Sequence, residues 1–461
     1  MRVKVFGHYW HLPLVMLWLT DSALMICAYF LVINFLNLPR ESPRIHWTQV
    51  LALTACTILA MIAMGMWSRR LRDRLGLVPL RLGMSVVIGG LLTAALMWPF
   101  RDTQFSLLQL ATTMGAIWAS VLMLRVSVRD ALHSDRFKSR ILIYGAGSNA
   151  ARVLQLRRRS DRRGFKVAGF VRSGNETIAV PANRVFDASG GLCAAATDFG
   201  IDEIVIAMDD RRQHFPVEQL LECRLAGINV TELVTFMERE TGKVYLDILN
   251  PSWMIFSGGF RRDSLRRHSE RIFDLLASLG LLAFAAPVMI LTALAIKLED
   301  GLYAPIFYGQ PRVGYGGKPF PVLKFRSMRV DAEADGKARW ASANDCRITR
   351  VGRFIRKTRI DELPQLLNVL QGQMSFVGPR PERPEFVEQL AKNIPYYRGR
   401  HSVKPGITGW AQLCYAYGAS EQDAVEKLQY DLYYVKNHGL FFDILILLQT
   451  IEVILFGKGA R

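Results

Sequence analysis

The stretch RFIRKTRIDELPQLLNVLQGQMSFVGPRPERP, residues 353–384, decides the reading of this chain. At its centre the adjacent acids Asp361 and Glu362 follow a run of cations, Arg353, Arg356, Lys357 and Arg359. A rigid Gly378-Pro379-Arg380-Pro381 turn comes after them. Carboxylates set among so many guanidiniums point to a shared anionic, metal-bound ligand: the cations neutralise phosphate while the carboxylates hold the metal. Leu363, Leu366, Leu367 and Leu370 recur at helical spacing with Gly372 as a stop, so a helix is expected directly after the pair. Asp361 is expected to be its N-cap, with Pro364 in the first turn, where a missing N–H costs little. Both carboxylates would then stand at the positive end of a helix, where phosphate also binds.

Two flanking blocks extend the pattern, KFRSM at 324–328 and KPGITGWAQ at 404–412. In this order and spacing the three blocks resemble the signature of bacterial sugar transferases, the monotopic phosphoglycosyl transferases that make polyprenyl-diphosphate-linked sugars. The tail from Tyr417, YGASEQDAVEKLQYDLYYVKNHGLFFDILILLQTIEVILFGKGAR, resembles the exosortase-associated exopolysaccharide subgroup. The resemblance is close from Arg271 onward and covers the N-terminal extension in architecture only.

That resemblance implies transfer of a sugar 1-phosphate from a UDP-sugar to polyprenyl phosphate, with release of UMP. It makes Asp361 and Glu362 the catalytic dyad and Arg356 and Arg380 phosphate contacts. Such a transfer needs neutralised diphosphate charge, a nucleophile at the β-phosphorus and a stabilised leaving group. Asp361 is the expected nucleophile and Glu362 the hard oxygen ligand for Mg²⁺, with Asp361 beside it. Lys324, Arg326, Arg356 and Arg380 are candidates to hold the diphosphate. The KPGITGW segment reads as a rigid turn that either lies over the nucleotide or shapes the core. Asp431, Tyr434 and Lys436 belong either to the floor of the site or to an aromatic packing helix.

Composition sets the surroundings. A chain of 461 residues holds two or three domains, and 51% hydrophobic residues point to a membrane protein with soluble parts. The net charge of +18 clusters beside apolar spans, which fits positive-inside loops and a basic membrane rim rather than nucleic-acid binding. Six scattered cysteines without CxxC spacing read as reduced thiols of a cytoplasm-facing protein.

Four apolar segments, at about residues 12–36, 47–67, 80–98 and 105–124, each approach the ~20 residues of a bilayer span. The first is too long for a signal h-region and lacks a small-residue cleavage site, so it is expected to remain attached. Residues 68–81 and 125–140 are rich in Arg whereas 37–46 and 99–104 are poorer, which puts both ends of the bundle in the cytoplasm. Asp21 lies within the first span and is either functional or an inter-helix hydrogen-bond partner. From Ser139 strands alternate with helices, and Gly145, Gly147 and Ala150 approximate G-x-G-x-x-G/A. The second strand ends Phe170-Val171-Arg172 without an acid for a ribose, so a Rossmann-like domain without cofactor is favoured over a nucleotide site.

The apolar helix at 271–298 carries Pro287 near its middle. Length alone makes it a span, but a full crossing would separate the acid pair from cytoplasmic UDP-sugar. A kink at Pro287 could turn it back as a re-entrant helix, even though Ala286 replaces the serine usual before that proline in the resembled family. Leu440–Phe456, with Asp443, Gln449 and Glu452 interspersed, reads as an interfacial helix.

The expected architecture is a four-helix transmembrane region (1–138), a Rossmann-like cytosolic domain (139–250), a basic linker (251–270) and a mixed α/β phosphoglycosyl transferase domain (271–461), in the bacterial inner membrane. A homodimer would form through the first two regions. Two other classes fit less well. A membrane-tethered epimerase or dehydratase would carry Tyr-x-x-x-Lys, which this sequence lacks, and a helical sensor leaves the acid–cation block unexplained.

Overall fold

Long runs of Leu, Met, Ala and Ile satisfy their backbone groups within apolar surroundings only as helices, and four such helices dominate the first third of the chain. The computed structural model describes residues 2–5, 8–35, 43–66, 78–99, 106–133, 138–156, 164–174, 176–186, 191–210, 215–257, 260, 264–329, 347–415, 418 and 420–456. By contacts the chain divides into two units, one holding Met1–Phe256 with Leu448–Lys458 and the other Ser257–Leu447 with Gly459–Arg461.

In the first unit an antiparallel hairpin, β1 (Arg2–Val5) and β2 (His8–His11), leads into α1 (Leu12–Phe35), α2 (Pro43–Ala63), α3 (Val78–Met97) and α4 (Leu107–His133). Stretches of α1, α3 and α4 are long and apolar enough to cross a membrane, and Trp47–Ala63 of α2 is a shorter apolar stretch. The basic connections used to orient the bundle lie largely outside the described residues. Met25, Tyr29, Leu53, Met61, Leu82 and Ile117 fill the core, while Leu31, Leu91, Leu108 and Met123 face outward, as a lipid-facing surface requires. Small residues bring the helices close: a Cβ on Gly89 would lie 2.6 Å from Thr57 Cα. Asp21 is fully buried and accepts from Arg125 Nη2 at 2.5 Å, linking α1 to α4. This is the inter-helix alternative for Asp21, in the form of an ion pair.

The same unit continues with a parallel sheet of β3 (Ser139–Tyr144), β4 (Phe165–Val171), β5 (Val185–Phe186), β6 (Glu203–Ile206) and β7 (Asn229–Glu232), in the spatial order β5-β4-β3-β6-β7. Buried apolar runs such as ILIY at 141–144 imply a sheet covered on both faces. Accordingly α5 (Ser148–Leu154) and α8 (Leu233–Thr241) pack on one face around Ile141, Phe170 and Val205. On the other face α6 (Leu192–Asp198) and α7 (Val217–Leu225) pack around Leu142, Val171 and Ile204. A short helix, α9 (Pro251–Phe256), closes the unit.

The second unit begins with α10 (Ser264–Asp300), a 37-residue helix with Pro287 inside it. Its middle carries exposed Leu279, Leu281, Phe284, Ile290 and Leu291. Both ends are tied to the rest of the unit. Arg271 donates to the carbonyls of Val369 (2.6 Å) and Leu370 (2.5 Å), and Asp274 accepts from Ser375 Oγ and Phe376 N. At the far end Glu299 accepts from the amides of Arg350 and Val351, and Asp300 pairs with Arg326 at 2.6 Å. The hairpin β8 (Phe307–Val313) and β9 (Pro319–Phe325) follows, then α11 (Arg350–Lys357) and α12 (Gln365–Gln371). After these come β10 (Ser375–Val377), α13 (Pro384–Asn393), β11 (Gly406–Thr408), α14 (Trp410–Cys414), α15 (Glu421–Asn437) and α16 (Leu440–Phe456). The parallel pair β10–β11 and the buried face of α15 form the floor on which the polar residues sit.

Candidate active site

The acid pair lies in a 3-10 turn, Ile360–Glu362, between α11 and α12. Asp361 is therefore not the N-cap of α12, as the leucine spacing predicts. Pro364 occupies that place, because the i→i+3 bonds Glu362 N to Arg359 O and Leu363 N to Ile360 O take up the residues before it, and α12 begins at Gln365. Arg359, just before the turn, adopts a left-handed backbone (φ 61°), a strained state for a residue with a side chain and one that marks functional turns. Gly372 ends α12 at φ 80°, as expected of a left-handed cap.

The two carboxylates have opposite surroundings. Glu362 Oε1 lies 3.2 Å from Lys324 Nζ, 3.2 Å from Arg359 Nη1 and 4.0 Å from Arg380 Nη2. Burial pushes its carboxyl up, but Lys324, Arg380 and Arg359 outweigh burial and hold it below its ordinary value. Asp361 is 8% exposed, and its Oδ1 is buried without a hydrogen-bond partner. Burial and the adjacent Glu362 push Asp361 above the ordinary carboxylate range, against Lys324, Arg359 and Arg356. Cations thus hold one acid below its ordinary value, and the other is raised and keeps a free oxygen.

The structure brings Lys324, Arg356 and Arg380 to this pair and adds Arg359, which residue spacing had grouped only with the preceding cations. Arg326 does not join them. It stands two residues from Lys324 at the end of β9, and its guanidinium turns to Asp300 at the exit of α10. That contact engages Nη2 alone, and Nε and Nη1 are buried without a hydrogen-bond partner.

The GPRP turn and the KPGITGW segment form one backbone layer. β10 pairs with β11, and Gly378, Gly406 and Gly409 approach so closely that a Cβ on Gly409 would lie 2.3 Å from Gly378 O. Glycine is required there by contact, so this segment shapes the core of the site. Asp431 and Tyr434 lie beneath the layer: Asp431 pairs with Arg400 at 2.8 Å, and the Tyr434 hydroxyl sits 3.1 Å from Val377 O and 2.7 Å from Asp443 Oδ1.

The residues fit Mg²⁺ in the manner in which one or two carboxylates supplement substrate phosphates. Asp361 Oδ1 is an unused buried oxygen beside a second carboxylate. Among the described residues no group of three or more His, Cys, Asp or Glu could hold a metal alone.

The other candidate site, the turn at Gly145 and Gly147, is filled by the protein itself. Asp209 accepts from the amides of Ser148 and Asn149 at 2.8 Å, and Glu176 accepts from Ala146 N (3.0 Å) and Asp209 N (2.9 Å). A Cβ on Gly147 would meet Asp209 Oδ2 at 2.2 Å. The amides that would cradle a phosphate are bonded to internal carboxylates.

Fold and site together define a membrane protein whose carboxylate pair stands in a cage of cations suited to phosphate. Residues 265–457 match the family described as "Bacterial sugar transferase". The UDP-N-acetylgalactosamine-undecaprenyl-phosphate N-acetylgalactosaminephosphotransferase of Aeromonas hydrophila is 43% identical over 242 residues, 52% of this chain and 56% of that protein. The UDP-glucose:undecaprenyl-phosphate glucose-1-phosphate transferase of Klebsiella pneumoniae is 33% identical over 333 residues, 70% of this chain and 69% of that one. A Haemophilus influenzae protein named as an uncharacterized sugar transferase is 30% identical over 432 residues, 87% of this chain and 88% of the other. This chain belongs to the bacterial sugar transferase family. It spans little more than half the length of the Aeromonas relative.

Proposed function

We propose that the protein transfers a sugar 1-phosphate from a UDP-sugar to polyprenyl (undecaprenyl) phosphate, giving polyprenyl-diphosphate-sugar and UMP and initiating an exopolysaccharide. The observation that carries this reading is the division of labour in the acid pair: Asp361 keeps a buried, unbonded oxygen while Glu362 is held charged by cations. The printed names of the Aeromonas and Klebsiella relatives support the substrate classes.

In this mechanism a carboxylate oxygen of Asp361 attacks the β-phosphorus of the UDP-sugar. The bond from that phosphorus to the bridging oxygen breaks, and the oxygen leaves with UMP. The sugar phosphate is then esterified to Asp361. A phosphate oxygen of polyprenyl phosphate attacks the same phosphorus and frees the carboxylate. Mg²⁺, held by Glu362 and Asp361 with the substrate phosphates, would supply charge neutralisation at the leaving oxygen. Arg380, Arg356 and Lys324 bind and orient the diphosphate, Arg through paired N–H donors and Lys as a point charge. Arg359, exposed and strained, steadies Glu362.

Two finer readings belong to this proposal. The strand order β5-β4-β3-β6-β7 supports a Rossmann-like domain, and its self-filled turn supports one without cofactor. The two ends of α10 bond to one unit while its apolar middle stands exposed, which supports a re-entrant helix bent at Pro287 and a catalytic unit kept on the cytoplasmic side of the inner membrane.

The test is UMP release from a panel of UDP-sugars with polyprenyl phosphate, together with mass analysis of protein incubated with UDP-sugar alone. Wild type should gain one phosphosugar on Asp361. Asp361→Asn keeps shape but cannot accept the phosphoryl group, and should lose both adduct and turnover. Turnover retained in that variant would sink the assignment.

A further inference from the structure

The turn that presents Arg380 is pinned carbonyl by carbonyl. Val377 O lies 3.1 Å from the Tyr434 hydroxyl, and Pro379 O accepts from Gly406 N at 3.1 Å. Arg380 O accepts from Arg400 Nη2 at 2.9 Å, Pro381 O from Arg312 Nη1 at 3.1 Å, and Glu382 O from Val313 N at 2.9 Å. The five donors come from four parts of the unit, Arg312 and Val313 being neighbours on β8, and Pro379 and Pro381 have no N–H to satisfy. Val377 to Pro379 are buried and Arg380 to Glu382 half-buried, and a short turn does not need five separate donors merely to exist.

Arg400 is the donor that has no other evident purpose. It is 7% exposed, and its fork reaches three acceptors: Tyr397 Oη through Nη1 at 2.8 Å, and Asp431 Oδ2 (2.8 Å) and Arg380 O (2.9 Å) through Nη2. Its Nε is buried without a hydrogen-bond partner. Asp431 is 2% exposed, and burial pushes its carboxyl up to about 6 against the pull of Arg400. A buried ion pair with an orphaned donor adds little stability over apolar packing, so its yield lies in geometry.

We propose that Arg400 is a positioning residue for the transfer reaction. Anchored by Asp431 and Tyr397, it fixes the Arg380 backbone so that the Arg380 guanidinium faces the substrate diphosphate beside Glu362. This rests on the function proposed above. Arg400 acts through Arg380 and touches no substrate. Lysine keeps the charge, but its donors sit on one nitrogen and lack the planar fork that reaches Tyr397 through Nη1 and Asp431 and Arg380 O through Nη2, so it should not substitute.

The test is a double-mutant cycle on the full chain in lipid nanodiscs, with Arg400→Lys, Arg380→Ala and the double variant. Arg400→Lys should lower kcat/KM by about 10- to 100-fold, the scale of a misplaced catalytic group, with the loss falling mainly on kcat. In the Arg380→Ala background the same change should cost no more than about threefold, because the group it positions is gone. Losses that simply multiply would overturn the proposal, since a merely structural residue costs the same in both backgrounds. If Arg400→Lys melts early, Asp431→Asn replaces it: the anchor is released while Arg400 keeps its bond to Arg380, and the same non-multiplying pattern is expected. The cycle is also run on UDP affinity by calorimetry, which needs no turnover. A coupled pattern in UDP binding with no UMP release from any UDP-sugar would refute the assigned reaction and still support the role of Arg400.

Discussion

Lys324 Nζ on β9 lies 3.2 Å from Glu362 Oε1, joining the KFRSM block to the acid pair across 38 positions of chain. The same lysine also opposes the upward push of burial on Asp361. One cation therefore acts on both acids, so the pH profile responds to its removal.

If ionised Asp361 is the nucleophile, activity falls as pH drops and the carboxylate takes a proton. Because the carboxyl is raised, the midpoint of that fall should lie above the ordinary carboxylate range. Lys324→Met removes a charge that lowers Asp361, so the midpoint should move to still higher pH, alongside lower activity at every pH. Profiles of kcat/KM for UMP release in both proteins check this. A midpoint that stays put or moves to lower pH would contradict the arrangement.

Glu362→Gln keeps the shape of the side chain and discards its charge. A neutral amide is a poorer ligand for a hard cation, so the Mg²⁺ concentration giving half-maximal activity should rise by about tenfold or more. Titration of Mg²⁺ against UMP release reads it. An unchanged activation curve would assign the metal to other groups.

Much of this was legible in short patterns, and the failures share a cause. The acid pair, its cations, Gly372 and the apolar helices are local features. α4, expected to stop near Leu124, runs on to His133, because charged residues end an apolar run without ending a helix when no Pro or Gly intervenes. Arg326 is expected on the diphosphate as part of the KFRSM block, and its Nη2 bond to Asp300, 26 positions earlier, comes only from the fold. Arg400 escaped notice altogether, and Asp431 was read only as floor or packing, since only the fold joins the two beneath the GPRP turn. The β1–β2 hairpin was unforeseen as well, and the positive φ of Arg359 has no signature in its side chain.

In the first unit, Asp209→Ala should loosen the glycine turn locally. Ser148 and Asn149 amides lose their acceptor, a change comparable to removing a helix cap at about 1 kcal/mol. Hydrogen exchange at these two amides should speed up by about five- to tenfold, with little change in strands β3 and β6. Protection unchanged at both amides would mean that the carboxylate does not hold the turn.

The last prediction concerns the path of α10. Its N-terminal half is fixed by Arg271 to the end of α12, and its C-terminal end by Glu299 and Asp300 to the start of α11 and the end of β9. A helix crossing the bilayer would deliver these ends to opposite sides, whereas a helix bent at Pro287 returns both to one side. Single cysteines replacing Arg267 and Leu302, with the native cysteines removed, should both resist a membrane-impermeant thiol reagent in intact cells and both react after lysis. Labelling of the Leu302 position alone from outside would establish a full crossing. Pro287→Leu restores the missing N–H and removes the ring clash, so it should straighten the helix. The basic residues before α10 and after it still oppose translocation, so the labelling pattern of that variant should remain internal while the apolar middle inserts more deeply.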